Sequence, residues 1–137
     1  MDAEQASSSA REWMKRAKSH LARARQPKPE EVLWEDFGFD AQQAAEKAVK
    51  AVLVHLGAEF PKTHDIRRLL DLAESWGLNV PEAVRLAEQL TPYATEIRYP
   101  GDFEPVSEEE FKKELALAEA VVLWTGDVLS SPRGKAP

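Results

Sequence analysis

With 137 residues, 43% of them hydrophobic and 31% charged, the chain suits one domain with a real core and is too apolar for a disordered segment. A net charge of −6 argues against a broad nonspecific nucleic-acid surface while leaving room for a local basic pocket. The absence of cysteine excludes disulfides, thiolate catalysis and cysteine-ligated zinc, and no run approaches the roughly 18 apolar residues of a membrane span. Without an apolar signal region at the start, the expected location is cytoplasmic.

The first residues, Met1 to Gln5, read as a frayed end, with Ser7, Ser8 and Ser9 supplying an N-cap and Glu12 completing a capping box with Ser9. Ala10, Trp13, Met14, Ala17, Leu21 and Ala24 then recur at helical steps, and the outer face carries Arg11, Lys15, Arg16, Lys18, Arg23 and Arg25. Pro27 and Pro29 end this helix. Pro29 is also well placed to begin a second helix, with Glu30 and Glu31 at its positive end and Gly57 as its C-cap.

Within that second helix, Phe37, Phe39, Ala41, Ala44, Ala45, Ala48, Val49, Ala51, Val52, Leu53 and Leu56 cover most of the wheel. Apolar cover on so many sides marks a central helix. Its polar residues, Gln42, Gln43, Glu46, Lys47 and Lys50, gather in one narrow strip of four-residue rows. Gly38 is expected to kink or loosen the helix.

Thr63 or Asp65 can cap a third helix whose buried face is Ile66, Leu69, Leu70, Ala73 and Trp76, closed by Gly77. A fourth carries Val84, Leu86, Ala87 and Leu90, with Pro92 bending or interrupting the chain beyond it. Ser107 and Glu110 form a capping box for a last helix with Phe111, Leu115, Ala118, Val122, Thr125 and Leu129 at strict spacing. No segment alternates as a strand. The expected fold is an all-α, up-and-down bundle of about five helices over residues 6–130, with 131–137 a disordered tail.

No self-evident active site emerges. His20, His55 and His64 lack the spacing of a helical zinc site, so neither metal nor cofactor is expected. Glu108, Glu109 and Glu110 read as helix-start charge, and Glu46 with Lys50 as an ion pair. Arg98-Tyr99-Pro100 is more distinctive. A rigid proline presents a guanidinium able to grip phosphate, with Tyr99 able to stack on a base. The plainer alternative pairs Arg98 with a carboxylate and lays Tyr99 over the core.

Three runs together resemble the HEPN family (higher eukaryotes and prokaryotes nucleotide-binding), in its small prokaryotic branch. They are Phe39 to Leu53, Phe60-Pro61-Lys62-Thr63-His64-Asp65-Ile66 with Leu69-Leu70, and Thr95-Glu96-Ile97-Arg98-Tyr99-Pro100. The resemblance spans about Ala10 to Val128. It implies a helical bundle that often forms a homodimer, a cleft near Arg98, and frequent pairing with a small nucleotidyltransferase in toxin–antitoxin-like systems. Many members are metal-independent RNA-cleaving toxins relying on an arginine followed four to six residues later by histidine. Here Arg98 is followed at those positions by Phe103, Glu104 and Pro105, while Arg16 and His20 are too close together, on the first helix and at mid-surface.

The leading expectation is therefore a non-catalytic binder of a nucleotide or phosphate ligand, a nucleotidyltransferase partner, or both. Its ligand-binding residues would be Gln43, Lys47, His64, Arg98 and Tyr99. A divergent RNA endonuclease using Arg98 and His64 is the alternative, and a structural homodimer module whose polar strip is an interface is the third reading.

Overall fold

The computed structural model describes residues 2–95 and 105–132. Among the described residues the chain is all-helical: α1 (Ala3–Ala24), α2 (Trp34–Leu56), α3 (Ile66–Ser75), α4 (Glu82–Arg85) running into a 3-10 segment (Leu86–Leu90), the single turn α5 (Pro92–Thr95) and α6 (Glu108–Leu129). The expected bundle forms around α2, which packs against α1, α3, α5 and α6. Ala41, Ala44, Ala45, Ala48 and Ala51 are completely buried on α2 together with Val49, Val52 and Leu53. Their small side chains permit close helix approach while keeping high helix propensity.

Helix α1 starts earlier than its serines suggest. Asp2 accepts from the Gln5 N–H and the Gln5 side chain accepts from the Asp2 N–H, a capping box that orders the supposedly frayed end. Ala6 extends the buried stripe back by one turn, and Ser7 lies inside the helix, receiving Arg11. Helix α2, by contrast, starts later than Pro29. Lys28 donates to the carbonyls of Pro29 and Val32, and Asp36 accepts from the Leu33 N–H, so the helix opens only at Trp34. Trp34 then stacks on Phe111 of α6 at 5.1 Å and meets Phe37 edge-on. At the other end Gly57 adopts φ 81° and the Ala58 N–H returns to the Leu53 carbonyl, the left-handed stop expected there.

Asp65 caps α3 and Ser107 caps α6. Three residues expected inside lie outside. Trp76 is 47% exposed because α3 has already ended at Ser75. Leu86 is turned out because the chain tightens from α to 3-10 winding there, which changes the periodicity. Phe39 is also exposed, so α2 is open on one side of its N-terminal half. On α6, Glu114, Val121, Trp124 and Val128 join the buried face, while Leu115 and Leu129 sit at its margin. The C-terminal residues 133–137 of the expected tail lie outside the described residues.

Helix α2 runs unbroken through Gly38, which makes a close approach. A Cβ at this position would lie 2.8 Å from Glu114 Oε2 and 3.2 Å from two Tyr93 ring carbons. Alanine normally gains up to about 1 kcal/mol over glycine inside a helix. Because Tyr93 and Glu114 are hydrogen-bonded to each other and would have to shift together, Gly38→Ala is expected to destabilise the fold by about 1–2 kcal/mol in urea denaturation. An unchanged or higher midpoint would mean that the Tyr93–Glu114 pair gives way freely.

Candidate functional site

Helix α2 carries two linked polar systems where its strip meets α1 and the loop before α3. The first is centred on Glu46, whose side chain is 3% exposed. Its Oε2 accepts from Lys50 Nζ at 2.9 Å, and its Oε1 accepts from Gln42 Nε2 at 2.9 Å and meets His64 Nδ1 at 2.8 Å. Gln43 Nε2 donates in turn to Gln42 Oε1 at 2.7 Å. Lys50 is seated over the Trp13 and Phe60 rings, which meet edge-on. Burial on its own would raise the Glu46 carboxyl. The hydrogen bonds from Gln42, Lys50 and His64, with the Lys50 charge, outweigh burial and hold it below its ordinary range.

The second system crosses from α2 to α1. His20 Nδ1 lies 2.9 Å from Asp40 Oδ1, and His20 Nε2 lies 2.9 Å from Lys47 Nζ. With Lys47 as an ammonium, Nζ donates and Nε2 accepts, which places the ring proton on Nδ1, aimed at Asp40. Arg23 approaches the other Asp40 oxygen at 3.5 Å. Burial lowers the Lys47 pKa, with Arg16 and Lys50 adding to the effect and Glu46 and Asp40 opposing it. Among the described residues no carboxylate forms an ion pair with Lys47; its contact is a histidine nitrogen.

The expected site residues are thus divided. Gln43 and His64 belong to the Glu46 system, Gln43 acting through Gln42 and His64 directly. The side chain of His64 remains 51% exposed. Lys47 belongs to the second system. Arg98 and Tyr99 lie outside the described residues, but the chain before them is placed: Thr91 Oγ1 accepts from the Ile66 N–H, and α5 packs on α2.

His20 does not sit at mid-surface as its sequence position suggests. Its side chain is 17% exposed, held between Asp40 and Lys47. The signal for this was its spacing, three residues after Ala17 and four before Ala24, on the edge of the stripe facing α2. Glu46 and Lys50 form the expected four-residue pair, but as a buried hub rather than a surface pair.

Beside Asp40 a cleft of about 370 Å³ is lined by Arg23, Asp36, Phe37 and the exposed Phe39. A second groove of about 500 Å³ runs between α1 and α6 past Met14, Lys18, Leu123 and Asp127. Among the described residues, no three His, Asp or Glu side chains converge as a metal site would require. No helix among them is long and apolar enough to cross a membrane.

An all-helical bundle with a charged, hydrogen-bonded strip on its central helix defines the class. The HEPN domain matches residues 10–128, and the chain belongs to the HEPN family. The fold is similar to the crystal structure of an archaeal HEPN homologue, with a TM-score of 0.69 and 28% identity, covering 87% of this chain and 97% of that one. No curated protein matches the sequence.

The depressed Glu46 pKa sets an acid limit on the site. A carboxyl whose folded pKa lies below its unfolded value contributes stability above the unfolded value and loses it as pH falls through the folded one. Stability is expected to decline from about pH 4.3 downward, measured as urea midpoint against pH. Glu46→Gln lowers stability at pH 7, since it leaves Lys50 buried without its counter-charge, and flattens that acid slope. An acid slope equally steep in the variant would assign it to other carboxylates.

Proposed function

We propose that this HEPN protein is a cytoplasmic, non-catalytic binder of a phosphate-bearing ligand of the nucleotide class, seated along the polar strip of α2. The observation that carries this reading is the state of Lys47. It is a partly buried ammonium whose close partner is a neutral imidazole nitrogen rather than a carboxylate. Such a cation gains by meeting an oxyanion, because a charge-assisted hydrogen bond is stronger than a neutral one. His64, half-exposed and anchored through Nδ1 to Glu46, presents its second nitrogen as a further ligand contact. Gln43 acts by positioning Gln42. Arg98 supplies the guanidinium for phosphate and Tyr99 a ring for the base.

Lys47→Met and Arg98→Ala are each expected to weaken nucleotide binding at least about tenfold, roughly 1.4 kcal/mol, in calorimetric titration, with melting temperature nearly unchanged. Binding retained together with a large loss of melting temperature would make these residues structural. In the same reading, single-stranded RNA stays intact when incubated with the protein in EDTA. Cleavage abolished by His64→Ala would instead favour the nuclease reading.

A partner reading draws on a different face. Leu123 is 74% exposed on α6 beside the groove with α1, where Lys18 and Asp127 offer opposite charges. Two copies related by a twofold axis would cross-match these charges and cover Leu123. Leu123→Glu is expected to convert a dimer to a monomer in light scattering. A monomeric wild type that co-purifies with a nucleotidyltransferase would place the protein in a two-component pair instead.

A further inference from the structure

The hydrogen bond between Lys47 and His20 has a consequence for charge. Two nitrogen bases 2.9 Å apart share one hydrogen, so one must lend a lone pair. With an Asp40 carboxylate, a neutral His20 and a Lys47 ammonium, the empty arrangement carries no net charge. The groups around it come from several elements. Asp40, Glu46, Lys47 and Lys50 lie on α2, and Arg16 and Arg23 on α1. His64 faces Glu46 from the loop before α3. Helix α6 reaches α1 through the Glu119–Arg25 ion pair. An imidazole that accepts from the Lys47 ammonium at Nε2 and faces Asp40 through Nδ1 is the neutral Nδ1–H tautomer.

A phosphate oxygen arriving at Lys47 changes this balance. The ammonium donates more strongly to an oxyanion than to a neutral ring, so it turns away from His20. The freed Nε2 lone pair then lies beside a negatively charged group. Histidine titrates near neutrality, and a neighbouring anion readily carries it across physiological pH. A proton taken from solvent onto Nε2 makes it a second donor to the same phosphate, while Nδ1–H remains on Asp40.

We propose that His20 and Lys47 form a proton-coupled seat for a terminal phosphate monoester, in which binding of the dianion opens the Lys47–His20 hydrogen bond and loads one proton onto His20 Nε2. This rests on the phosphate-binding reading of the site. It adds His20 as a ligand contact and narrows the ligand class. The proton is the only atom transferred: the seat goes from zero to one positive charge as two negative charges arrive. A phosphodiester brings one negative charge rather than two, and so provides less drive for proton uptake.

The test is calorimetric titration of the full chain at pH 7.5 in two buffers of different ionisation enthalpy, with 5′-AMP and with the dinucleotide ApA, which has a phosphodiester and no terminal phosphate. 5′-AMP is expected to bind at least about tenfold tighter than ApA and to take up on the order of one proton. His20→Asn keeps a donor toward Asp40 and is expected to abolish the uptake and most of the preference. Nitrogen-15 spectra of the wild-type His20 ring supply a readout independent of that variant. The Nδ1–H tautomer is expected in the free protein and the imidazolium with 5′-AMP.

Binding of 5′-AMP without proton uptake, or uptake unchanged in His20→Asn, would overturn the seat while leaving the phosphate-binding reading intact. Uptake lost in His64→Asn but kept in His20→Asn would assign the proton to the other histidine and equally overturn it. Absence of binding by either probe at millimolar concentration would overturn both.

Discussion

The buried Glu46–Lys50 pair is the constraint on which the rest of α2 depends. Two opposite charges removed from water cost several kcal/mol each unless their attraction and hydrogen bonds are well formed. Here Gln42, His64 and the Trp13 and Phe60 rings complete the arrangement. That requirement fixes where α1, α2 and the loop before α3 can sit relative to one another. It brings Trp13 of α1 and Phe60 beyond α2 to the same ammonium. The alanines of α2 contribute close packing without direction, and the pair contributes direction.

Once α2 is fixed this way, the second polar system is placed with it. Asp40 and Lys47 are seven residues apart, nearly two helical turns, so both meet one imidazole projecting from α1. In the Glu46 system the carboxylate is paired with the Lys50 ammonium and held by Gln42 and His64. The Lys47 system is poised, with a cation held by a partner weaker than an oxyanion. In the proposed function the two have different roles, the first as scaffold and the second as the place where the ligand would exchange for an internal contact.

Local chemistry made much of the fold legible. Gly57, Asp65 and Ser107 each carry a backbone-level reason to stop or start a helix, and each does so. Alanine density on the stretch from Phe37 to Gly57 identified the central helix. The misreadings arose where two local signals competed or where tertiary packing decided. The serines at 7–9 resemble a cap, yet Asp2 and Gln5 form one first. Leu86 keeps helical spacing until the winding changes. Of the polar networks, the membership of Gln43, Lys47 and His64 was legible because they share the polar strip or flank its signature. His20 and Asp40 were missed because their meeting is a contact between helices twenty residues apart in sequence, with only His20's place on the stripe edge to signal it.

The most direct test of whether the strip of α2 is a ligand seat and not merely scaffold is residue-resolved NMR mapping of 5′-AMP titrated into the protein. A ligand seat predicts the largest saturable shifts at Lys47, His20 and His64, with little change at Leu53 and Val121 in the core. Saturable shifts confined to Leu123 and the α1–α6 groove, or no shifts at all, would contradict it.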